Sequence, residues 1–133
     1  MSPKFSRAKL AQEIIKRLDK GESAEKISQE VAALLISVGK TSELSSLLRD
    51  CTKIRVQRDG IVEVNAVTAR PLDKDLERYV EKTAKDRYKN AHKVIIHNRV
   101  DPDIIGGISL SFVDSSLDLS IRARLNKLKA LTT

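Results

Sequence analysis

Tryptophan is absent from this chain, and two phenylalanines and two tyrosines (Phe5, Phe112, Tyr79 and Tyr88) supply its only aromatic rings. A core without bulky rings must be built from Leu, Ile, Val and Ala, which suits helices and short strands. Cysteine occurs once, at Cys51, so no internal disulfide can form and a reducing, intracellular setting is expected. No run approaches the roughly 20 apolar residues of a membrane span. The opening Met1-Ser2-Pro3-Lys4-Phe5 has no apolar core of a signal-peptide kind. The protein is therefore expected to be soluble, or held at a membrane only through partners. Internal repeats and low-complexity segments are also missing.

What is present is a chain of 133 residues, 41% hydrophobic and 32% charged, which is a globular composition and enough for one ordinary domain or two very small ones. Its net charge of +7 raises nucleic acid as a partner. The distribution weakens that reading: residues 1–60 carry 12 basic and 8 acidic groups, residues 61–133 carry 13 and 10. The densest basic stretch, Arg78 to Lys93, is interrupted by Glu81 and Asp86 and follows Glu77, the pattern of a solvated helix face.

Taken in order, residues 6–20 read as a helix capped by Ser6, with Ala8, Ala11, Ile14, Ile15 and Leu18 at helical spacing and Gly21 as its stop. Ser23 opens a second helix with the stripe Ala24, Ile27, Val31, Leu34, Leu35 and Val38, stopped at Gly39. Thr41 or Ser42 caps a third, carrying Leu44, Leu47, Leu48, Cys51 and Ile54. The texture then changes. Ile61 to Ala69 is β-branched and alternating, a strand. Asp73 caps a helix to about Tyr88 with Leu76, Tyr79, Val80, Thr83 and Ala84 inward. Lys93–Val100 is a second strand, with Val94, Ile96, Asn98 and Val100 on one face, and Ile108–Val113 a third. Asp114-Ser115-Ser116 is read as a hairpin turn into a short return strand at Leu117-Asp118-Leu119. Asp118 or Ser120 then caps a last helix with Ile121, Leu125, Leu128 and Leu131. The fold class is α+β: an N-terminal three-helix unit (1–59), then a strand–helix–strand–hairpin–helix module (60–133).

Candidate chemistry is scarce. His92 and His97 lie five apart and would face different ways, and no Cys or carboxylate cluster completes a metal site. Gly106-Gly107 lacks the spacing of a phosphate-binding loop. Asp101 and Asp103 flank Pro102 and read as turn caps. There is no aromatic RNA-binding pattern and no Cys/His finger. No catalytic residue, metal or cofactor is expected, and what remains is interaction: helix stripes that another chain's helix could complete.

Three stretches together carry a resemblance. Val64-Asn65-Ala66-Val67-Thr68-Ala69-Arg70-Pro71-Leu72 resembles a V-x-S-A-x-P-L strand-to-helix junction, with Thr68 where Ser is usual. Val100-Asp101-Pro102-Asp103-Ile104-Ile105-Gly106-Gly107 matches V-D-P-x-(L/I)-I-G-G. Asp118-Leu119-Ser120-Ile121-Arg122-Ala123-Arg124-Leu125 resembles a closing D-x-S-(V/I)-x-x-x-L helix. In this order they are similar to the delta subunit of the F-type ATP synthase, called OSCP in mitochondria, across residues 61–131. Pro71, Asp101, Pro102, Gly106, Gly107, Asp118 and Ser120 form the structural signature. Gly106-Gly107 is expected to allow positive φ or a close approach by another backbone, as the bend that sends one strand into the next.

The first sixty residues depart from that family, which begins with about six helices; a short form with a reduced N-terminal helical domain is expected, with Met1 as a natural start. The resemblance implies a non-catalytic stator subunit of a proton-translocating synthase, one copy per complex, tying the alpha/beta head to the peripheral stalk. Its implied partners are the N-terminal helices of the alpha subunits and the C-terminal end of the b subunit. The implied location is peripheral, at the cytoplasmic face of the bacterial plasma membrane, with the membrane reached only through the complex and no nucleic acid bound. Ile14, Leu18, Ile27, Leu34, Leu47 and Leu48 are the candidate alpha-subunit contacts, lining a groove in residues 6–58. Phe112, Ile121, Leu125 and Leu128 are the candidate b-subunit contacts. The alternative from composition is a small basic nucleic-acid-binding protein.

Overall fold

The computed structural model describes residues 5–132, so the opening Met1–Lys4, read above as lacking a signal-peptide core, lies outside the described residues. Helix α1 spans Arg7–Asp19, α2 Ala24–Ser37 and α3 Leu44–Asp59. Ser6 accepts from the Lys9 amide and Ser23 from the Lys26 amide, each satisfying one of the donors a helix start leaves open. Past the other ends, the amides of Glu22 and Lys40 bond back to Arg17 and Leu35, closing α1 and α2 with Schellman turns. A 3-10 turn, Thr41–Glu43, leads into α3. Neither Thr41 nor Ser42 caps that helix, because both are already wound into the turn.

The strands are β1 Ile61–Thr68, β2 Lys93–Val100 and β3 Ile108–Ser111, with α4, Lys74–Arg87, between the first two. Strand order is β2-β1-β3. The β1–β2 pair is parallel, Ile61 opposite Lys93 through Thr68 opposite Val100, as a connection through a helix requires. The β1–β3 pair is antiparallel, Asn65 opposite Ser111 through Thr68 opposite Ile108. Central β1 alternates, burying Val62, Val64, Ala66 and Thr68. Val62 and Val64 cluster with Val80 and Ala84 of α4 and with Val56 and Ala91, and the partly buried Tyr88, Val94, Ile96, Ile108, Leu110 and Phe112 pack against that cluster. At Gly60 the chain turns from α3 into β1 with φ 68°, and its carbonyl accepts from the amides of both His92 and Lys93.

The last element differs from expectation. Helix α5 spans Ser115–Thr132, so there is no return strand at Leu117-Asp118-Leu119. The Asp114 carboxylate accepts from the Leu117 amide at 3.0 Å, which makes Asp114 the cap in place of Asp118 or Ser120. Leu117, Ile121 and Leu125 are then one continuous buried stripe at four-residue spacing. A return strand would have broken that stripe.

By backbone proximity the chain sorts into two compact units. One holds α1, α2, most of α3 and also α5, which lies along α2. The other, Arg55–Val113, holds the end of α3, the sheet and α4. The last helix, expected with the strands, has its apolar stripe in the helical unit.

Candidate partner interface

The first two resemblance motifs, about thirty residues apart in sequence, meet at one end of β1. Thr68 is buried, and its hydroxyl donates to the Arg70 carbonyl at 2.6 Å while accepting from Asn98 Nδ2 at 3.0 Å. Asn98 Nδ2 also reaches the Ala66 carbonyl at 3.1 Å. The Asp101 amide donates to the Thr68 carbonyl at 2.8 Å, and the Ala69 amide to the Gly107 carbonyl at 3.0 Å. Asp101 Oδ1 accepts from the Asp103 amide, an Asx turn around Pro102. Pro71 follows this junction, and Asp73 Oδ1 then caps α4 through the Leu76 amide. The hydroxyl of Thr68, the amide of Asn98 and the carboxylates of Asp101 and Asp73 all bond to backbone or to a neighbouring side chain, which is architectural work.

Gly106 and Gly107 adopt φ of 89° and 81°, values a side chain rarely tolerates. A Cβ on either would meet nothing within 4 Å, so the double glycine serves the turn and not a close approach of backbones. The tip beside it is bare: Ile105 is 97% exposed.

The candidate alpha-subunit contacts divide. Ile14, Ile27, Leu47 and Leu48 are core residues of the helical unit, each 2% exposed or less, and Leu18 is half-buried. They line no open groove, because the helices close over them. Leu34 is 38% exposed, with Val38 one turn on at the end of α2, so two residues of the predicted inward stripe face outward. The candidate b-subunit contacts divide likewise. Ile121 and Leu125 are buried, Leu128 is half-buried, and Leu131 beyond it is exposed. Phe112 packs edge-on to Tyr88, ring centroids 5.7 Å apart, under the Arg87 guanidinium at 5.2 Å, so it belongs to the sheet unit's own packing. Tyr79, expected inward, is exposed.

A model of the ATP synthase delta (OSCP) subunit family matches residues 1–131. The chain belongs to the ATP synthase delta (OSCP) family. It is similar to "ATP synthase subunit 5, mitochondrial" of Pichia angusta, 30% identical over 118 residues that make 87% of this chain and 61% of the relative. The protein of the same name in Schizosaccharomyces pombe is 41% identical over 81 residues, 60% of this chain and 37% of the relative. "ATP synthase subunit delta" of Burkholderia multivorans is 28% identical over 133 residues, 99% of this chain and 73% of the relative. The chain spans roughly half the length of several curated relatives it matches.

Several arginines of this delta (OSCP) chain are answered by carboxylates. Arg7 holds Glu43 and Asp50, both at 2.8 Å, and Arg17 holds Glu22 and Glu30. Arg58 holds Asp59, and Arg122 holds Asp118 at 2.7 Å. Hydrogen bonding from Arg17 keeps the Glu22 carboxyl below the ordinary carboxylate range, and Arg58 does the same for Asp59. Among the described residues no group of three or more His, Cys, Asp or Glu side chains could hold a metal, and no helix is long and apolar enough to cross a membrane. Two residues were missed as architecture. Asn98 could have been found from its place as the one amide on an apolar strand face. Ser28, buried on α2, was hidden between the apolar positions Ile27 and Val31.

Proposed function

We propose that this chain is a non-catalytic stator subunit of a proton-translocating F-type ATP synthase, one copy per complex, joining the alpha/beta head to the peripheral stalk. Family membership across residues 1–131 carries the reading. The two compact units suit a connector, which needs two faces and no reactive group. In this proposal the N-terminal helices of the alpha subunits dock on the helical unit. Leu34 and Val38 are the exposed anchors, with Leu18 at a rim, while Ile14, Ile27, Leu47 and Leu48 stiffen the unit from within. The C-terminal end of the b subunit takes the C-terminal half, residues 60–133. Leu128 and Leu131 of α5 supply apolar anchors there, with Ile121 and Leu125 supporting them from the helical unit's core. The chain would sit peripherally at the membrane through the complex, at the cytoplasmic face of the plasma membrane in a bacterial setting.

The ion pairs tell against the alternative of nucleic-acid binding. Arg7, Arg17, Arg58 and Arg122 are held by acids of this chain, which leaves fewer cations for the backbone phosphates a nucleic acid would present.

Binding of a labelled peptide from the alpha-subunit N-terminus, followed by fluorescence anisotropy, tests the first contact. Leu34→Asp should weaken binding by about tenfold, the loss of one well-buried apolar anchor, with the thermal midpoint unchanged. Binding that ignores Leu34→Asp and Val38→Asp alike would place the docking surface elsewhere.

A further inference from the structure

The helical unit contains a feature that the stator reading does not use. Between α2 and α5 lies an open cleft of about 290 Å³, lined by Glu25, Ser28 and Gln29 on one side and Ser120, Ala123, Arg124 and Lys127 on the other. Helical spacing puts these residues there: 25, 28 and 29 share one face of α2, and 120, 123, 124 and 127 share one face of α5. Ala123 contributes only a methyl and leaves the space open.

Two observations, independent of each other, point to a missing partner. Ser28 is 2% exposed, and its hydroxyl is buried with no hydrogen-bond partner among the described residues. Buried polar groups of folded chains are satisfied as a rule, so an orphan bordering a cleft calls for a ligand atom or a water. Secondly, Arg124 and Lys127 stand three residues apart on one helix face, where like charges repel. Neither has a carboxylate within ion-pair distance among the described residues, although Glu25 lines the same cleft. The remaining lining is rich in donors: the Gln29 amide, the Ser120 hydroxyl, the guanidinium and the ammonium.

We infer that this cleft binds a phosphate-type oxyanion, its oxygens taken by Arg124, Lys127 and the hydroxyls of Ser28 and Ser120. A phosphate presents mostly acceptor oxygens, which suits the donors of this lining, and an arginine fork beside a lysine suits phosphate oxygens. The cleft has room for more than one phosphate group, so the anion comes either free or as the phosphate end of a nucleotide. Glu25 at the edge disfavours a second anion and limits the site to one.

The test is amide chemical-shift titration of the full 133-residue chain at constant ionic strength, with inorganic phosphate, ADP, acetate and chloride as separate probes. Saturable shifts at residues 25–29 and 120–127 with phosphate, absent with chloride, support the site. Tighter binding of ADP assigns it to the phosphate end of a nucleotide, and equal or weaker binding assigns it to the free ion. Arg124→Gln should weaken phosphate binding by about tenfold or more and Ser28→Ala by several-fold, the usual range for hydrogen bonds to a charged group. Ser28→Ala should leave the thermal midpoint unchanged or raised, because it removes an unsatisfied buried hydroxyl. Shifts that chloride reproduces, acetate binding without phosphate binding, or phosphate binding unaffected by both substitutions would each overturn the inference. None of these results depends on the chain's place in a synthase.

Discussion

Replacing Thr68 by valine keeps the shape of the side chain and removes one oxygen from the junction at the end of β1. That oxygen makes two bonds, 2.6 Å to the Arg70 carbonyl and 3.0 Å from Asn98 Nδ2. At about 0.5–1.5 kcal/mol net for each bond lost, the change costs about 1–3 kcal/mol. The new methyl group returns about 0.8 kcal/mol if it packs well, leaving a net loss of about 0.2–2 kcal/mol. Thr68→Ser provides the contrast. It keeps both bonds and loses only a buried methyl, worth about 0.5–1.5 kcal/mol. Urea unfolding, read by circular dichroism, measures each cost. Native-state hydrogen exchange at the β1 and β2 amides shows whether the loss falls on the sheet unit. A double-mutant cycle with Asn98→Ala isolates the pair and should give a coupling of about 0.5–1.5 kcal/mol. If Thr68→Val were as stable as the parent, or if Thr68 and Asn98 showed no coupling, the hydroxyl would not be tying the two motifs together.

Three further outcomes follow from the same structure. Gly106→Ala and Gly107→Ala should each cost about 1–2 kcal/mol by calorimetry, the strain of a side chain at positive φ in open space; a cost near 4 kcal/mol would mean a clash that the geometry does not contain. Ile121→Ala, at a side chain with no exposed surface, should cost about 2–5 kcal/mol and raise proteolysis of the helical unit; a change without effect on stability would leave α5 outside that unit's core. Acid should loosen the Arg17–Glu22 and Arg58–Asp59 pairs. Both carboxyls have folded-state values below the unfolded ones, so their contribution is full above about pH 4–4.5 and is lost as the pH falls through the lower folded values. Glu22→Gln should flatten that part of the stability-against-pH curve.

Local signals in the sequence were sufficient for most of the elements. Ser6, Ser23 and Asp73 cap the helices they were expected to cap, because a side-chain oxygen followed by a helical stripe depends on nothing distant. Strands β1, β2 and β3 lie where alternation put them, and the three motifs were enough to recognise the family. What failed depended on tertiary context. Asp114-Ser115-Ser116 serves equally as a hairpin turn or a helix start, and the choice is made by where Leu117 finds cover. Apolar spacing marks a face as buried without saying against what. Ile14, Ile27, Leu47 and Leu48 could therefore be read as an open groove until α5 was seen lying along α2. Leu34 and Val38 show the converse: a stripe wider than the helix needs leaves part of itself outside. For the double glycine, spacing alone does not separate a φ requirement from a steric one; both residues have positive φ and open space around them, so the φ requirement is the one that holds.

The most direct measurement of the stator reading is reconstitution. Synthase from which the delta (OSCP) subunit has been stripped is incubated with this chain and assayed for ATP synthesis driven by an imposed proton gradient. The account predicts that the chain rebinds with one copy per complex and restores coupled synthesis, and that the combined change Leu34→Asp and Leu131→Asp abolishes rebinding while the isolated chain stays folded. A chain that folds normally, yet neither associates with stripped synthase nor restores synthesis, would contradict it.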